Sequence, residues 1–265
     1  MLNAERSRRL RSLAPREHGA YGQLAVPMVA ALGAGRPGLA AALLAASAWA
    51  LFFAHEPVLV LLGRRGQRVC TEDGFRATHR LFLLGVAAAG LGAAGWLLAA
   101  PPSRWALLAP GVLGAALAVV VLLGLERSAT GEALAAVTLA GVAFPIAVAS
   151  GVCGAAAARA WVVWSLGLSA LVLPVRSIGA RRRASSTPGK RLLPAGAACG
   201  LGLSLLGTVL TALDLVALAP LLATSAWLAM APPDPRNLRA VGWSIVAATL
   251  LTGAVLIVAT RLQGY

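Results

Sequence analysis

Two side chains that could carry acid–base chemistry interrupt a long apolar run in the first quarter of the chain. His55 and Glu56 are followed by Pro57 in the stretch FFAHEPVLVLL. An imidazole or a carboxylate at such a position could take a proton or stabilise a cation that forms during a reaction. We interpret His55 and Glu56 as candidate catalytic residues. The alternative is a buried residue that pairs with an arginine and holds two helices together.

A second kind of chemistry is suggested by an arginine inside an apolar run. Arg176 lies about one helical turn within such a run, and a buried guanidinium needs a carboxylate or a phosphate partner. Arg181 opens the run Arg181–Arg183, which could contact anionic head groups, although membrane topology alone would also explain these charges. Arg176 and Arg181 are therefore candidate substrate-binding residues.

Further candidates lie nearer the N-terminus. Glu17 and His18 open an apolar run, and each shares a helical face with the residue four positions on, so both could bind substrate or anchor the helix at a membrane interface. Glu72 and Asp73 are adjacent carboxylates that could bind Mg²⁺ through oxygen ligands, with a solvated turn as the alternative. The cofactor is otherwise unknown.

The elements that must position these residues are predicted to be membrane-spanning helices. Of the 265 residues, 59% are hydrophobic and only 12% are charged, and the apolar residues fall into runs long enough to cross a bilayer. We therefore predict an all-α, polytopic transmembrane helical bundle of about nine spans. The predicted spans are 18–34, 38–62, 80–100, 105–125, 132–151, 158–178, 191–210, 213–231 and 239–260.

The distribution of basic residues predicts the orientation of this bundle. With the N-terminus in the cytoplasm, 19 of the 23 Lys and Arg residues fall on the cytoplasmic side. Residues 1–265 then form one integral domain of the cell membrane, with a basic cytoplasmic segment at 1–17 and polar cytoplasmic loops at 63–79 and 177–190. The net charge of +14 is explained by this topology, so membrane lipids, and not nucleic acid, are the expected partners.

Nearly all the carboxylates and every histidine fall on the same predicted side as the basic residues. Acidic residues contribute little to orientation, so their clustering favours a polar site at the cytoplasmic mouth of the bundle. We expect one cavity there, lined by Glu17, His18, His55, Glu56, Arg127 and Arg176.

Several motifs resemble a known family of bacterial membrane proteins. The opening PREHGAYG at 15–22, the triplet at 55–57 and the triplet at 175–177 resemble the YwiC-like family. The predicted architecture is similar to that of the UbiA superfamily of intramembrane prenyltransferases. In that superfamily, aspartate-rich motifs bind Mg²⁺ and the diphosphate of an isoprenyl donor. The stretch 125–128 is similar to its basic loop, which implies that Arg127 contacts diphosphate.

The chain departs from the superfamily at both aspartate-rich motifs. Only Glu56 is acidic at the first, and the second, near 176–180, has no acid. Mg²⁺ remains possible, but Arg127, Arg176 and Arg181 could instead bind an anionic head group directly. The resemblance implies a divergent prenyltransferase-like enzyme that binds an anionic isoprenoid, such as an isoprenyl diphosphate, or another lipid. The alternatives are a lipid or small-anion binding or transport protein, and a non-catalytic membrane partner.

Overall fold

Ten helices make up the secondary structure of the described part of the chain. The computed structural model describes residues 13, 18–181, 210–231, 233 and 238–263, and it contains no β-strand among them. The helices are α1 (His18–Ala34), α2 (Leu39–Leu61), α3 (Gln67–Leu98), α4 (Pro101–Ala106), α5 (Leu108–Leu122), α6 (Ala129–Gly141), α7 (Ala143–Ala149), α8 (Gly154–Arg181), α9 (Ala212–Met230) and α10 (Leu238–Leu262).

The length and apolar composition of the helices confirm the predicted all-α, membrane-spanning fold class. Within the described ranges, seven helical stretches are long and apolar enough to cross a membrane: Leu39–Leu61, Gln67–Leu98, Pro101–Leu122, Ala129–Ala149, Gly154–Ile178, Ala212–Met230 and Arg239–Leu262. The apolar part of α1, Gly19–Ala34, is shorter. The predicted span 191–210 lies outside the described residues except at Leu210. The total of nine spans and the side of the N-terminus stay predictions.

The helices pack around α1, which contacts α6, α7, α8 and α10. The helices α2 and α3 form a hairpin, and α2 joins it to the rest of the bundle through α7. On the other side of α1, α8 packs against α6 and α9, and α9 packs against α10. The two largest buried clusters lie around Trp164 and Leu221 and around Leu24 and Ile146, and a small third one contains Val60 and Ala77.

Small residues let these helices approach closely. Gly167 of α8 lies against the side chain of Leu221 of α9, where an added methyl group would collide with it. Gly35, which follows α1, lies against the carbonyl of Ser150, and the neighbouring Arg36 amide donates to that carbonyl at 2.7 Å. Glycine at these two positions therefore sets the spacing between elements.

The first predicted polar loop, 63–79, is mostly helical. The helix α3 begins at Gln67, so the connection after α2 is only the short turn 62–66. Two ion pairs within the helix accommodate its polar start, Arg68–Glu72 at 2.6 Å and Arg76–Asp73 at 3.0 Å. With 32 residues, α3 is about 48 Å long and exceeds a hydrocarbon core of about 30 Å. The polar residues at the start of α3 therefore form an extension of this helix and not a loop. In the second predicted loop, α8 continues to Arg181, and 182–190 lies outside the described residues.

Candidate functional site

Glu56 is the most deeply buried carboxylate of the described chain, with 1% of its surface exposed. It lies in the last turns of α2. The turn after α2 brings Arg65 back over it, and the Arg65 Nε and Nη2 donate to Glu56 Oε1 and Oε2 at 2.9 and 2.5 Å. Because the Arg65 side chain is itself only 12% exposed, this is a buried, two-pronged ion pair. His55 next to it is half-buried.

Arg176 forms a second ion pair between two helices. It lies in α8, two residues after Pro174, and its Nη1 donates to Oε1 of Glu132 in α6 at 2.6 Å. The same nitrogen donates to the backbone carbonyl of Arg127 at 2.7 Å. Both side chains are partly exposed, 38% for Arg176 and 41% for Glu132, so a solute or a lipid head group can reach this pair.

The turn between α5 and α6, residues 123–128, carries Arg127. Ser128 caps α6 by accepting a hydrogen bond from the Gly131 amide at 2.9 Å. The Arg127 side chain is exposed, and no residue in the described ranges pairs with its guanidinium. In the same turn, Oε2 of Glu126 is buried with no hydrogen-bond partner among the described atoms. The turn therefore presents, at its surface, one cation that has no partner in the described part of the chain.

Arg64 connects this turn to the hairpin of α2 and α3. Its Nη2 donates to the carbonyl of Leu122, at the end of α5, at 3.0 Å. Its guanidinium lies against Gly124, whose φ of +74° favours glycine. The turn after α2, the turn after α5 and the last turns of α8 therefore meet at one end of the bundle, which we call the polar end.

The structure brings only some of the predicted site residues together. Arg127 and Arg176 are neighbours, whereas Glu56 is paired separately with Arg65. Glu17 and the side chains of His18 and Arg181 lie outside the described residues. The structure shows a small apolar cavity of about 20 Å³ between α1, α7, α8 and α10. None of the predicted site residues lines it, so it is not the predicted polar cavity.

The described residues do not fit the Mg²⁺ site that the superfamily resemblance implies. No group of three or more His, Cys, Asp or Glu side chains among them could hold a metal ion. Glu72 and Asp73 follow each other on α3, so their side chains point about 100° apart. Each is bound to an arginine of the same helix, Arg68 or Arg76.

Several partners in this region were not predicted from the sequence. Arg65 and Arg64 reach their partners because the turn after α2 returns over helix ends, and Glu132 reaches Arg176 because α6 packs against α8. No local spacing reveals such contacts. An aromatic cluster of Tyr21, Trp49, Phe52 and Phe53 also lies one to two turns deeper than Glu56. Its ring centroids are 4.9 to 6.4 Å apart. The 49, 52, 53 and 56 spacing on α2 is the signal that could have indicated this shared face.

A separate polar network closes the opposite end of the bundle. Arg159 of α8 donates to Asp214 Oδ2 at 3.0 Å and to Gln263 Oε1 at 2.6 Å. Asp214 also caps α9 together with Thr211. Each end of α8 therefore carries an ion-paired arginine.

A chain whose described residues form helices and no strands, with these apolar stretches and polar helix ends, is a multi-pass membrane protein. The family described as YwiC-like protein matches residues 14–148, about half of the chain, and the chain belongs to this family. The matched range includes Glu56, Arg65, Arg127 and Glu132, but it ends before Arg176. No curated protein and no solved structure matches the chain significantly.

Proposed function

We propose that this membrane protein binds the anionic head group of a lipid at its polar end, with Arg127 and Arg176 as the head-group ligands. The hydrogen bonding of the Arg176 guanidinium is the observation that supports this proposal most strongly. A guanidinium has five N–H donors, and both hydrogen bonds of Arg176 use Nη1. Its Nε and Nη2 hydrogens therefore have no partner among the described residues. Nη1 itself contacts the backbone carbonyl of Arg127, whose exposed side chain has no partner among the described residues.

The distribution of charge supports the same residues. Arg65, Arg68 and Arg76 each neutralise a carboxylate nearby, so their charges are already compensated. Arg127 has no such partner among the described residues. Arg176 does pair with a carboxylate, that of Glu132, but its Nε and Nη2 donors remain available. Two guanidinium groups can bind a phosphate or diphosphate through paired, charge-assisted hydrogen bonds. The two guanidinium groups would supply the positive charge that Mg²⁺, bound by aspartates, supplies in the UbiA superfamily.

The ligand class that we propose is an isoprenyl diphosphate, and the activity is prenyltransferase-like. In such a transfer, the allylic C–O bond breaks and its electron pair leaves with the diphosphate. A nucleophilic acceptor then bonds to the allylic carbon and releases a proton to His55 or Glu56. In this structure Glu56 is held by Arg65, so its role as a base requires an exchange of partner. The rings of Phe52 and Phe53, one turn away, could stabilise the allylic cation.

Binding of a matched ligand set to the purified protein in nanodiscs tests this proposal. Farnesyl diphosphate carries both the head and the tail, pyrophosphate carries the head alone, and farnesol carries the tail alone. We expect farnesyl diphosphate to bind most tightly, with or without Mg²⁺, and pyrophosphate to compete with it. If farnesol binds as well as farnesyl diphosphate, or if neither binds, head-group recognition at the polar end is wrong.

Transport is a second candidate function, favoured by the ion pairs at both ends of α8. Arg159 and Arg176 are 17 residues apart, or about 25 Å along the helix, and each pairs with an acid on a neighbouring helix. Ion pairs that alternately open at two ends would suit alternating access. Labelled pyrophosphate flux into proteoliposomes tests this. Transport predicts flux that both Arg159→Gln and Arg176→Gln abolish, whereas a binding protein or an enzyme shows none.

A further inference from the structure

We infer that Arg64 is a positioning residue, which fixes the turn between α5 and α6 so that Arg127 faces the head group. This inference rests on the proposed function, because it concerns the placement of a proposed ligand. Arg64 itself belongs to a different hairpin, and it reaches the turn only through its long side chain. Its Nη2 donates to the carbonyl of Leu122 at 3.0 Å.

The carbonyl that Arg64 binds is one that the helix cannot satisfy by itself. Leu122 is the last residue of α5, and the last four carbonyls of a helix have no partner within it. A cationic side chain at this point also interacts favourably with the negative end of the helix dipole. Arg64 therefore fixes the place at which α5 stops and the turn begins.

Gly124 shows that the turn and the guanidinium fit each other closely. A Cβ atom on Gly124 would lie 2.6 Å from Nη1, 2.8 Å from Nη2 and 2.9 Å from Cζ of Arg64. The φ of +74° at Gly124 also makes any other residue unfavourable there. The guanidinium thus occupies the space that a side chain would otherwise fill.

The C-terminal side of the turn, at Arg127, is held by contacts that do not involve Arg64. Arg176 donates to the carbonyl of Arg127, and Ser128 caps α6 immediately after it. Two arginines from different parts of the chain therefore hold the carbonyl just before the turn, at Leu122, and a carbonyl within it, at Arg127. Without Arg64, only the second contact would remain, and the Arg127 side chain would sample a wider range of positions.

The test must distinguish two effects of Arg64: its positioning of the turn that carries Arg127, and its positive charge. Arg64→Gln removes both, and Arg64→Lys keeps the charge but replaces the planar guanidinium with a single ammonium nitrogen. Gly124→Ala keeps every charge while displacing the guanidinium. Arg68→Gln is the matched control, because it removes an exposed charge at the same end without touching the turn. The readouts are the affinity for farnesyl diphosphate and the amide hydrogen exchange of peptides covering 122–132.

We expect Arg64→Gln and Gly124→Ala each to weaken binding about tenfold, the loss of one hydrogen bond to a charged group. Exchange over 122–132 should rise in both, even without ligand. Arg64→Lys should bind with intermediate affinity, and Arg68→Gln should match the wild type. The double variant Arg64→Gln/Gly124→Ala should lose little more than either single variant, because both remove the same contact.

The inference is overturned if Arg64→Gln leaves exchange over 122–132 unchanged, whether or not binding falls. It is also overturned if Arg64→Lys binds like the wild type while Gly124→Ala has no effect, since Arg64 would then act through its charge alone. Failure of the proposed function gives a different result. In that case the wild type does not bind farnesyl diphosphate, or Arg127→Gln binds it equally well, while exchange over 122–132 still rises in Arg64→Gln.

Discussion

Arg65 and Glu56 are joined by two parallel hydrogen bonds, from Nε to Oε1 at 2.9 Å and from Nη2 to Oε2 at 2.5 Å. They are nine residues apart in the chain, and the pair connects the last turns of α2 to the turn that follows. The carboxylate is only 1% exposed, so Arg65 replaces the water that would otherwise solvate it. The stability of the polar end should depend on both members of this pair.

Arg65→Gln should therefore destabilise the protein strongly, because it leaves the Glu56 carboxylate buried without its cation. The expected loss is about 3–5 kcal/mol of unfolding free energy, typical of a broken buried pair. Denaturant unfolding in detergent micelles measures it. The control Arg68→Gln breaks an exposed pair and should cost about 0–1 kcal/mol. Equal losses for the two variants would show that burial of Glu56 does not matter.

Combining Glu56→Gln with Arg65→Gln should recover part of that stability. Two neutral amides can still form a hydrogen bond, and no charge is then left buried. The same unfolding measurement gives the coupling energy, which should exceed about 1 kcal/mol for residues in direct contact. A double variant as unstable as the sum of the two single variants would contradict a direct interaction.

Glu132→Gln should raise the affinity for an anionic head group. Glu132 competes for Arg176, which it contacts at 2.6 Å, and neutralising it removes that competitor. Since both side chains are partly exposed, the fold should lose little stability. Titration with farnesyl diphosphate checks this, and Glu72→Gln is the control, because Glu72 pairs with Arg68 on the extension of α3. Weaker binding by Glu132→Gln would mean that Glu132 itself helps to hold the ligand.

Gly131→Ala should disrupt the turn that carries Arg127. A methyl group at Gly131 would collide with the Leu125 carbonyl and lie 3.1 Å from the Glu126 Cα atom, so the turn would have to move. Gly114 of α5 has open space around it, and Gly114→Ala should be neutral or stabilising by up to about 1 kcal/mol. Thermal unfolding of the two variants provides the comparison. A higher melting temperature for Gly131→Ala than for Gly114→Ala would argue against the turn described here.

The sequence was sufficient to predict the helices, but not the contacts between their polar ends. Apolar runs of membrane length predicted eight of the described helical stretches, because length and composition alone decide whether a segment can cross a bilayer. The polar residues 67–79 were predicted to be a loop, yet Arg68–Glu72 and Arg76–Asp73 pairs support a helix there. Polarity by itself does not distinguish a loop from a helix that extends beyond the membrane.

The sequence predicted several residues of the candidate site, but not which residues they pair with. Pairing with an arginine was one interpretation of His55 and Glu56 in their apolar run, and Glu56 does pair with one. The identity of that partner, Arg65, depends on how the turn 62–66 returns over α2, which no periodicity encodes. Glu132 and Arg176 are 44 residues apart, and their contact follows from the packing of α6 against α8. The catalytic role of His55 and Glu56 stays a prediction.

The most direct test of the account compares the affinity of the wild type and of Arg127→Gln for farnesyl diphosphate in nanodiscs. Arg127 has an exposed side chain with no described partner, so this substitution should leave the fold intact. The account predicts that the wild type binds and that Arg127→Gln binds at least about tenfold more weakly, as expected for loss of a charge-assisted hydrogen bond, while Arg68→Gln binds normally. Equal affinities for all three proteins, or no binding by the wild type, would contradict it.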